Sequence, residues 1–235
     1  MSRKKRFVTL GVLAVLLAAC ARTQPIMPAA PIVRPAATAK VLLMPPDIEL
    51  SELTIGGLLE VKADWTAAAR KHVASALKHI LAEHDAEIVP YRAPPEGSEA
   101  AHLFTQLIKL HGTVGAAIIA YRLAGPDRLP TKKDVFDWTL GREAVALRRA
   151  SGADYALFVF LRDSYASVSR TAFIVAGVLL GVGVPGGAQV GFASLVDLSN
   201  GNIVWFNLLR SGTGDLRQPE PALAAVRHLL EGFPL

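Results

Sequence analysis

The chain has 235 residues, 51% of them hydrophobic and 19% charged, and its formal net charge is +5; this length allows one domain with a sizeable core. Four positive charges lie at residues 3–6 and no later cluster of Lys and Arg follows, which argues against a nucleic-acid-binding protein. The single cysteine excludes a disulfide framework and a metal site built from several cysteines.

The first 20 residues have the pattern of a bacterial export signal. Basic residues 3–6 precede a short apolar run at 7–17 and small residues before the cysteine, which is typical of a cleaved leader. The run is too short to span a bilayer, which takes about 20 residues. Residues 17–20, Leu-Ala-Ala-Cys, resemble the lipobox of bacterial lipoproteins, which implies cleavage between Ala19 and Cys20 and lipid, palmitate included, on Cys20. The alternative is an ordinary signal in which this cysteine is incidental.

Residues 20–39 are predicted to be a lipidated tether. After Cys20 the segment is rich in Pro and Ala, a composition that favours an extended, semi-rigid linker of about 3.1 Å per residue. Ala21 stands where the lipoproteins it resembles carry an aspartate when they are retained in the inner membrane. The resemblance therefore implies an outer-membrane protein that faces the periplasm. Lipid on Cys20 would leave no thiol for metal binding or catalysis.

Residues 40–235 are predicted to form one α/β domain with a mixed sheet, in the order β-α-β-α-α-β-insert-β-β-α. Short apolar runs predict strands, the Asn200-Gly201 pair predicts a tight hairpin, and residues 48–61 are interpreted as a loop. Helices are predicted to start after capping residues. The predicted strands are 41–44, 86–91, 153–162, 189–197 and 202–210. The predicted caps of the first three helices are Asp64, Ser98, and Asp134 or Asp137, and the last helix is predicted over 219–230.

Three short patches of this domain resemble one group of envelope lipoproteins. They are the first strand at 40–46, the Gly-Ala-Asp-Tyr stretch at 152–155, and the Leu-Val-Asp-Leu-Ser-Asn-Gly turn at 195–201. With the element order, they resemble periplasm-facing outer-membrane lipoproteins of the curli-secretion-channel and penicillin-binding-protein-activator type, whose domain is similar to the N-terminal domain of the Tol translocation β-propeller protein. The resemblance implies that fold over residues 40–231 and carries over no catalytic residue.

An uncharged apolar insert at 171–184 is the second unusual segment. It is too short to span a membrane as a helix and lacks the alternation of a membrane strand. Three interpretations are open: a buried core helix or packed hairpin, a subunit-packing or interfacial segment, and a membrane-inserting hairpin. The spacing of Gly177 and Gly181 permits close helix packing. The candidate interface residues are Phe173, Leu179 and Leu180 of the insert and Trp205 of the predicted hairpin.

No pattern of side chains predicts an enzyme, a metal site or a cofactor. All six histidines are interpreted as solvated, because none has clustered cysteines or carboxylates nearby. Residues 181–186 have the G-x-G-x-x-G spacing but precede a predicted strand, where a dinucleotide site requires a helix. Four carboxylates at strand ends or turns could converge on a cleft, although each also suits a turn; they are Asp154, Asp163, Asp197 and Asp215.

The sequence therefore predicts a non-enzymatic, lipid-anchored protein of the bacterial envelope that docks other envelope proteins or assembles with its own copies. A lipid or small-ligand carrier, with a pocket lined by residues 113–123 and 171–184, is one alternative. A pore-forming secretion component and a periplasmic hydrolase built on the four aspartates are the others.

Overall fold

The structure is a computed structural model that describes most of the chain after the predicted leader. Residues 1–21, which include the predicted leader and Cys20, lie outside the described residues. For 22–26, 122 and 123 the description covers the backbone alone. The described residues are 22–26, 38–123, 129, 132, 135–180, 183, 186–212 and 214–235.

Eight strands of the described residues form one mixed sheet, which confirms the predicted α/β fold. They are β1 (Arg22–Ile26), β2 (Lys40–Leu43), β3 (Asp47–Leu53), β4 (Leu59–Val61), β5 (Glu87–Pro90), β6 (Tyr155–Ala166), β7 (Gln189–Asp197) and β8 (Ile203–Ser211). The order across the sheet is β1-β8-β7-β6-β2-β5, with β3 beside the second half of β6 and β4 beside β3. Strands β2 and β3 run parallel to β6, whereas the pairs β6–β7, β7–β8 and β8–β1 are antiparallel.

Five α-helices accompany the sheet within the described part of the chain. They are α1 (Ala63–Leu81), α2 (Glu99–Ile118), α3 (Val145–Ser151), α4 (Val168–Leu179) and α5 (Pro219–Leu229). A π-helical turn, Ile119–Leu123, continues α2, and a 3-10 turn, Arg142–Ala144, leads into α3. Helices α1 and α5 pack on one face of the sheet and α2 and α3 on the other, whereas α4 contributes to neither core layer.

Alternate side chains of β6 build the two core layers, because successive residues of a strand point to opposite faces. Tyr155, Leu157 and Leu161 pack toward α1 and α5. Ala156 and Phe158 pack toward α2 and α3. The helices therefore cover both faces of the sheet.

Helix α2 with the turn that follows it, Glu99–Tyr121, is the one described helix with the length and apolar composition to cross a membrane. Ser98 caps this helix, as predicted, by accepting a bond from the backbone N–H of Ala101 at 3.2 Å. Its buried residues recur at every third or fourth position, the stripe of an amphipathic core helix; they are Phe104, Leu107, His111, Gly115 and Ile118. Packing on the sheet accounts for this apolar stripe.

Residues 48–61, interpreted from the sequence as a loop, form most of strand β3 and its partner β4. Pro45 and Pro46 separate β2 from β3, and both strands lie along β6, one after the other. Ile48 and Leu50 are fully buried, so β3 has the alternation of a half-buried strand. The loop prediction is wrong because the two prolines interrupt the apolar pattern without ending the pairing with β6.

Part of the predicted tether belongs to the sheet. Arg22–Ile26 forms β1, in which Arg22 pairs with Arg210 and Ile26 with Phe206. This is an edge strand, a position at which Pro25 is tolerated. The prediction of an unpaired tether over 20–39 is therefore wrong for these five residues, because composition does not reveal that β8 offers an open edge to pair with.

Two predicted helix starts are displaced. Lys62 stands at the N-cap of α1, and Asp64 lies in the first turn, where a negative charge interacts favourably with the helix dipole. The third helix begins only at Val145, and Asp137 lies in the irregular segment before it. Asp134 lies outside the described residues.

Candidate functional site

Strands β3, β6, β7 and β8 each begin or end at one end of the sheet, which we call the upper end. Strand β6 ends there at Ala166, and β3, its parallel neighbour, ends beside it at Leu53. The antiparallel register places the start of β7 and the end of β8 at the same end, because Asp163 pairs with Gln189 and Gln189 with Ser211. We call the opposite end, with the β7–β8 turn and the start of β6, the lower end.

Helix α4 leaves the upper end directly after β6 and has no buried residue. Ser167 caps it by accepting a bond from the backbone N–H of Arg170 at 3.1 Å. The half-buried positions are Arg170, Ile174 and Gly177, which lie one turn apart and form a single line on the helix. One side of α4 therefore faces the rest of the chain, and its remaining large side chains are exposed.

The exposed side of α4 is uncharged and mostly apolar, with Ser169 and Thr171 as polar members, and we call its large apolar side chains the α4 surface. Its members are between 50% and 81% exposed, although each such side chain gains about 1.5–3 kcal/mol from full burial. Single exposed hydrophobic residues are ordinary, whereas a contiguous group marks a contact. A buried core segment is therefore wrong as an interpretation of residues 171–180 of the insert. The α4 surface consists of Phe173, Val175, Val178, Leu179 and Leu180.

The β3–β4 hairpin lies beside the start of α4 and extends the apolar area. The guanidinium of Arg170 donates to the carbonyl oxygen of Ile55 at 3.2 Å. The backbone N–H of Ser167 donates to the carbonyl oxygen of Leu53 at 3.0 Å. The exposed apolar side chains of the hairpin tip are Ile55, Leu58 and Leu59. The upper end thus carries two neighbouring apolar elements.

The four predicted interface residues do not share one location. Phe173, Leu179 and Leu180 belong to the α4 surface, whereas Trp205 is fully buried. Its ring meets that of Phe233 edge-to-face at 5.6 Å, and its indole N–H has no hydrogen-bond partner among the described residues. Trp205 is therefore a core residue, and its prediction as an interface residue is wrong: composition alone does not show that its strand is covered on both faces.

A buried carboxylate lies just inside the upper end. Asp163 is 5% exposed, and its Oδ2 accepts bonds from the hydroxyl of Tyr165 at 2.5 Å and from Nε2 of Gln189 at 2.8 Å. Burial raises the pKa of Asp163 to about 6, although these two bonds oppose the rise. The Tyr165 hydroxyl also accepts a bond from the backbone N–H of Leu216 at 2.8 Å. The cluster therefore ties the segment after β8 to β6.

Arg217 completes this cluster. It forms an ion pair with Asp215 at 2.8 Å, and the hydrogen bond that its guanidinium donates to this carboxylate lowers the pKa of Asp215. The guanidinium also lies over the rings of Tyr165 and Trp65, at 3.9 and 4.6 Å from their centroids. A cavity of about 290 Å³ opens beside these groups and beside Asp163. The charged groups of the cluster are thus engaged with one another.

The four candidate aspartates form two pairs at opposite ends of the sheet. They are Asp163 and Asp215 at the upper end and Asp154 and Asp197 at the lower end. Asp154 accepts a bond from the backbone N–H of Lys40 at 3.2 Å, and Asp197 accepts one from the backbone N–H of Ser199 at 2.7 Å. Eight residues of β6, about 27 Å, separate the two pairs. The four carboxylates therefore do not meet in one cleft.

His111 contradicts the prediction that all six histidines are solvated. It is 1% exposed, and its ring packs against Phe158 and Phe192 with centroids 5.2 and 5.1 Å away. Its Nε2 lies 2.9 Å from Oγ of Ser194. Burial lowers the pKa of His111 to about 3, so the ring is neutral. His111 follows Leu107 by one helical turn on the buried stripe of α2, and that spacing is the signal that identifies it.

Neither a metal site nor the predicted carrier pocket is found among the described residues. Among them, no three His, Cys, Asp or Glu side chains are grouped so that they could hold a metal ion. Three cavities measure about 190, 290 and 410 Å³, and residues 113–123 line none of these three. The apolar insert reaches the 290 Å³ cavity only through Thr171. The predicted carrier pocket between 113–123 and 171–184 is not one of these cavities.

Comparison with known proteins finds likeness only at the level of solved structures. No protein-family model and no curated protein matches the chain. The chain is similar to the PelC dodecamer from Paraburkholderia phytofirmans in space group P6, with 14% identity and a TM-score of 0.39 over 90% of this chain and 95% of that chain. A point variant of the same protein in space group C2 has 16% identity and a TM-score of 0.38, over 90% and 96% of the two chains.

Proposed function

We propose that this chain is a lipid-anchored outer-membrane protein that faces the periplasm, has no enzymatic activity, and holds envelope components in contact. The observation that carries the proposal is the α4 surface. Leu179 and Leu180 are 81% and 80% exposed on an uncharged helix, and a surface of this kind is covered by another component in the working protein. The lipobox at Cys20 supplies the membrane attachment.

The engagement of the acidic groups supports a role without catalysis. Asp163 is bonded to Tyr165 and Gln189, and Asp215 is paired with Arg217. A general acid or base must reach the proton that it transfers. These carboxylates are instead occupied in holding the segment after β8 against β6.

The mechanism that follows is positional. Lipid on Cys20 confines the domain to the membrane surface, which raises its effective concentration toward any other component held there. A contact surface of modest area then suffices for a stable association. The domain contributes its rigid sheet, and α4 is displayed at one end of it.

The attachment is tested by replacing Cys20 in the full-length chain. We expect the unchanged protein to incorporate radiolabelled palmitate and to sediment with outer membranes, and Cys20→Ser to lose the label and to disappear from the outer-membrane fraction. A Cys20→Ser protein that still sediments with outer membranes would contradict lipid anchoring. Unchanged protein found in the inner-membrane fraction would contradict the outer-membrane assignment.

The contact role is tested by crosslinking in intact cells. We expect the unchanged protein to crosslink to a second copy or to a defined envelope protein, with a yield that falls for Cys20→Ser at equal expression. Asp163→Asn is the matched control, because it changes the buried cluster without changing the anchor, and it keeps the crosslink. If cells that carry Asp163→Asn behave like cells that lack the protein while the crosslink is intact, a hydrolase is favoured instead.

A further inference from the structure

The geometry points to the bilayer as the component that covers the α4 surface. We propose that α4 lies in the interfacial layer of the same membrane leaflet that holds the lipid of Cys20. This inference rests on the proposed lipid anchor and names what the apolar helix touches. The arguments are where β1 begins, how wide the apolar area is, and how long α4 is.

The start of β1 places the anchor at the upper end. Arg22 pairs with Arg210, and the next residue of β8, Ser211, pairs with Gln189 at the start of β7. Cys20 precedes Arg22 by two residues, which span at most about 7 Å. The lipid therefore leaves the domain at the upper end, and the 20-residue spacer expected from the sequence does not intervene.

The lateral distance brings α4 to the same membrane. Strands β8 and β7 separate β1 from β6, and three strand spacings amount to about 14 Å. Helix α4 begins two residues after β6 ends and its 12 residues make it about 18 Å long. An anchor so short and so near holds the upper end against the bilayer surface, with α4 on that side.

The width of the apolar area fits lipid better than a protein partner. At 3.6 residues per turn, the exposed apolar side chains of α4 cover an arc of about 220°. A helix that packs on a protein needs an apolar stripe of about 100° or somewhat more. Acyl chains and headgroups adapt to the shape of a helix, so a bilayer interface can cover this whole arc without a matching groove, and the side of the helix around Ile174 stays against the domain.

The length of α4 determines how it meets the membrane. Its length of about 18 Å is less than the roughly 30 Å of a hydrocarbon core, so α4 lies in the interface and does not cross it. The hairpin residues Ile55 and Leu58 form a second apolar contact beside it. Arg210, exposed at the same end, is at the level of the lipid phosphates, where basic side chains are favoured. The lower end then faces away from the membrane and is available to proteins.

The test uses the absence of other thiols. Because lipid occupies Cys20, a single introduced cysteine accepts an environment-sensitive fluorophore such as NBD in the full-length, lipidated protein. The labelled protein is placed in phosphatidylethanolamine and phosphatidylglycerol vesicles with or without brominated acyl chains. The positions are Phe173→Cys, Val178→Cys and Leu179→Cys, which lie on different sides of the exposed arc. Arg149→Cys on α3 is the control, since it is also helical and exposed but precedes β6 at the lower end.

We expect brominated lipid to quench all three α4 labels, with a blue shift of their emission, and to leave the label at Arg149 unchanged. Aqueous iodide should quench only the label at Arg149. Labels on α4 that iodide reaches and brominated lipid does not would overturn the inference. Labels shielded from both quenchers would also overturn it, because a second copy or another protein would then cover α4.

A failure of the lipid anchor itself gives a different result. If Cys20 carries no lipid, the chain without an introduced cysteine takes up the fluorophore at Cys20. That outcome contradicts the proposed function before α4 is probed. Lipidated protein whose α4 labels are not quenched by brominated lipid contradicts only the membrane contact of α4.

Discussion

Nε2 of His111 lies 2.9 Å from Oγ of Ser194, inside the core layer between α2 and the sheet. The pair joins a helix to a strand that is 83 residues later in the chain. Burial holds the pKa of His111 at about 3, and the charge of Asp47 opposes this lowering. Asp163, buried under the upper end, has its pKa raised to about 6. The fold therefore contains two buried groups whose ionisations act on stability in opposite directions.

These two groups predict an unusual dependence of stability on pH. The unfolded chain binds a proton at His111 below about pH 6.5 while the folded chain does not, so folding loses about 1.4 kcal/mol for each unit that the pH falls from 6.5 to 3. Asp163 has the opposite sign: the folded chain takes up its proton near pH 6 and the unfolded chain only near 3.8, so acidification across that range stabilises the fold. We expect the free energy of unfolding to change little between pH 6 and 4 and to fall below pH 4.

Two variants separate these effects, and urea unfolding followed by circular dichroism at several pH values measures them. His111→Gln remains neutral and keeps a hydrogen-bonding group for Ser194, so its stability should rise as the pH falls from 6 to 4. Asp163→Asn lacks the compensating proton, so its stability should begin to fall already near pH 6.5. Parallel pH profiles for the unchanged protein and both variants would contradict the assignment.

The sequence predicts much of the sheet because its central strands depend on local patterns. Strands β6 to β8 are long apolar runs with a clear turn at Asn200-Gly201, and their predicted bounds agree with the structure within a few residues. Strand β1 could not be predicted, since Arg22–Ile26 contains a proline and acquires its conformation from the edge of β8. The difference is between segments that carry their own pattern and segments that depend on a distant partner.

The same distinction holds at the candidate site. The sequence shows that residues 171–184 are apolar and uncharged, and Phe173, Leu179 and Leu180 are indeed exposed. It does not show that Trp205 is buried, because burial depends on the layer formed by α1 and α5. The helical spacing of His111 indicates that it is buried, whereas a search for metal-ligand spacing does not detect this.

The contact between Gly115 and Phe192 predicts a steric limit on α2. A Cβ atom at Gly115 would lie 2.0 Å from the Phe192 ring, which is itself stacked on Phe160 and Phe206. Gly115→Ala should therefore lower the free energy of unfolding by about 1–3 kcal/mol, the cost of overpacking, despite the better helix propensity of alanine. Gly112→Ala is the control, because its Cβ would lie 3.2 Å from the partly exposed Phe160. Equal stability of the two variants in urea would contradict this packing.

Asn207 predicts how α5 is terminated. Its Nδ2 donates to the carbonyl oxygens of His228, Leu229 and Glu231 at 3.0–3.2 Å, and so supplies donors to carbonyl groups at and just after the end of the helix, where helical donors run out. Asn207→Asp keeps the shape but replaces the donor with a buried negative charge that faces these oxygens. We expect it to cost more than Asn207→Ala, which should cost about 1–3 kcal/mol. Thermal unfolding at pH 7 gives the order, and a less stable Asn207→Ala would contradict it.

Truncation of Trp205 and truncation of Leu179 should differ greatly in their effect on the free energy of unfolding. Trp205→Ala should cost about 3–5 kcal/mol, because it opens a cavity in the layer beneath α1 and α5. Trp205→Phe should cost less, since it keeps a ring against Phe233 and removes an indole N–H that has no partner among the described residues. Leu179→Ala should change the free energy of unfolding by no more than about 0.5 kcal/mol in urea, because Leu179 contacts so little of its own chain. A large loss of stability in Leu179→Ala would mean that α4 is held by the domain, and its exposed side chains would then not be free to meet a membrane.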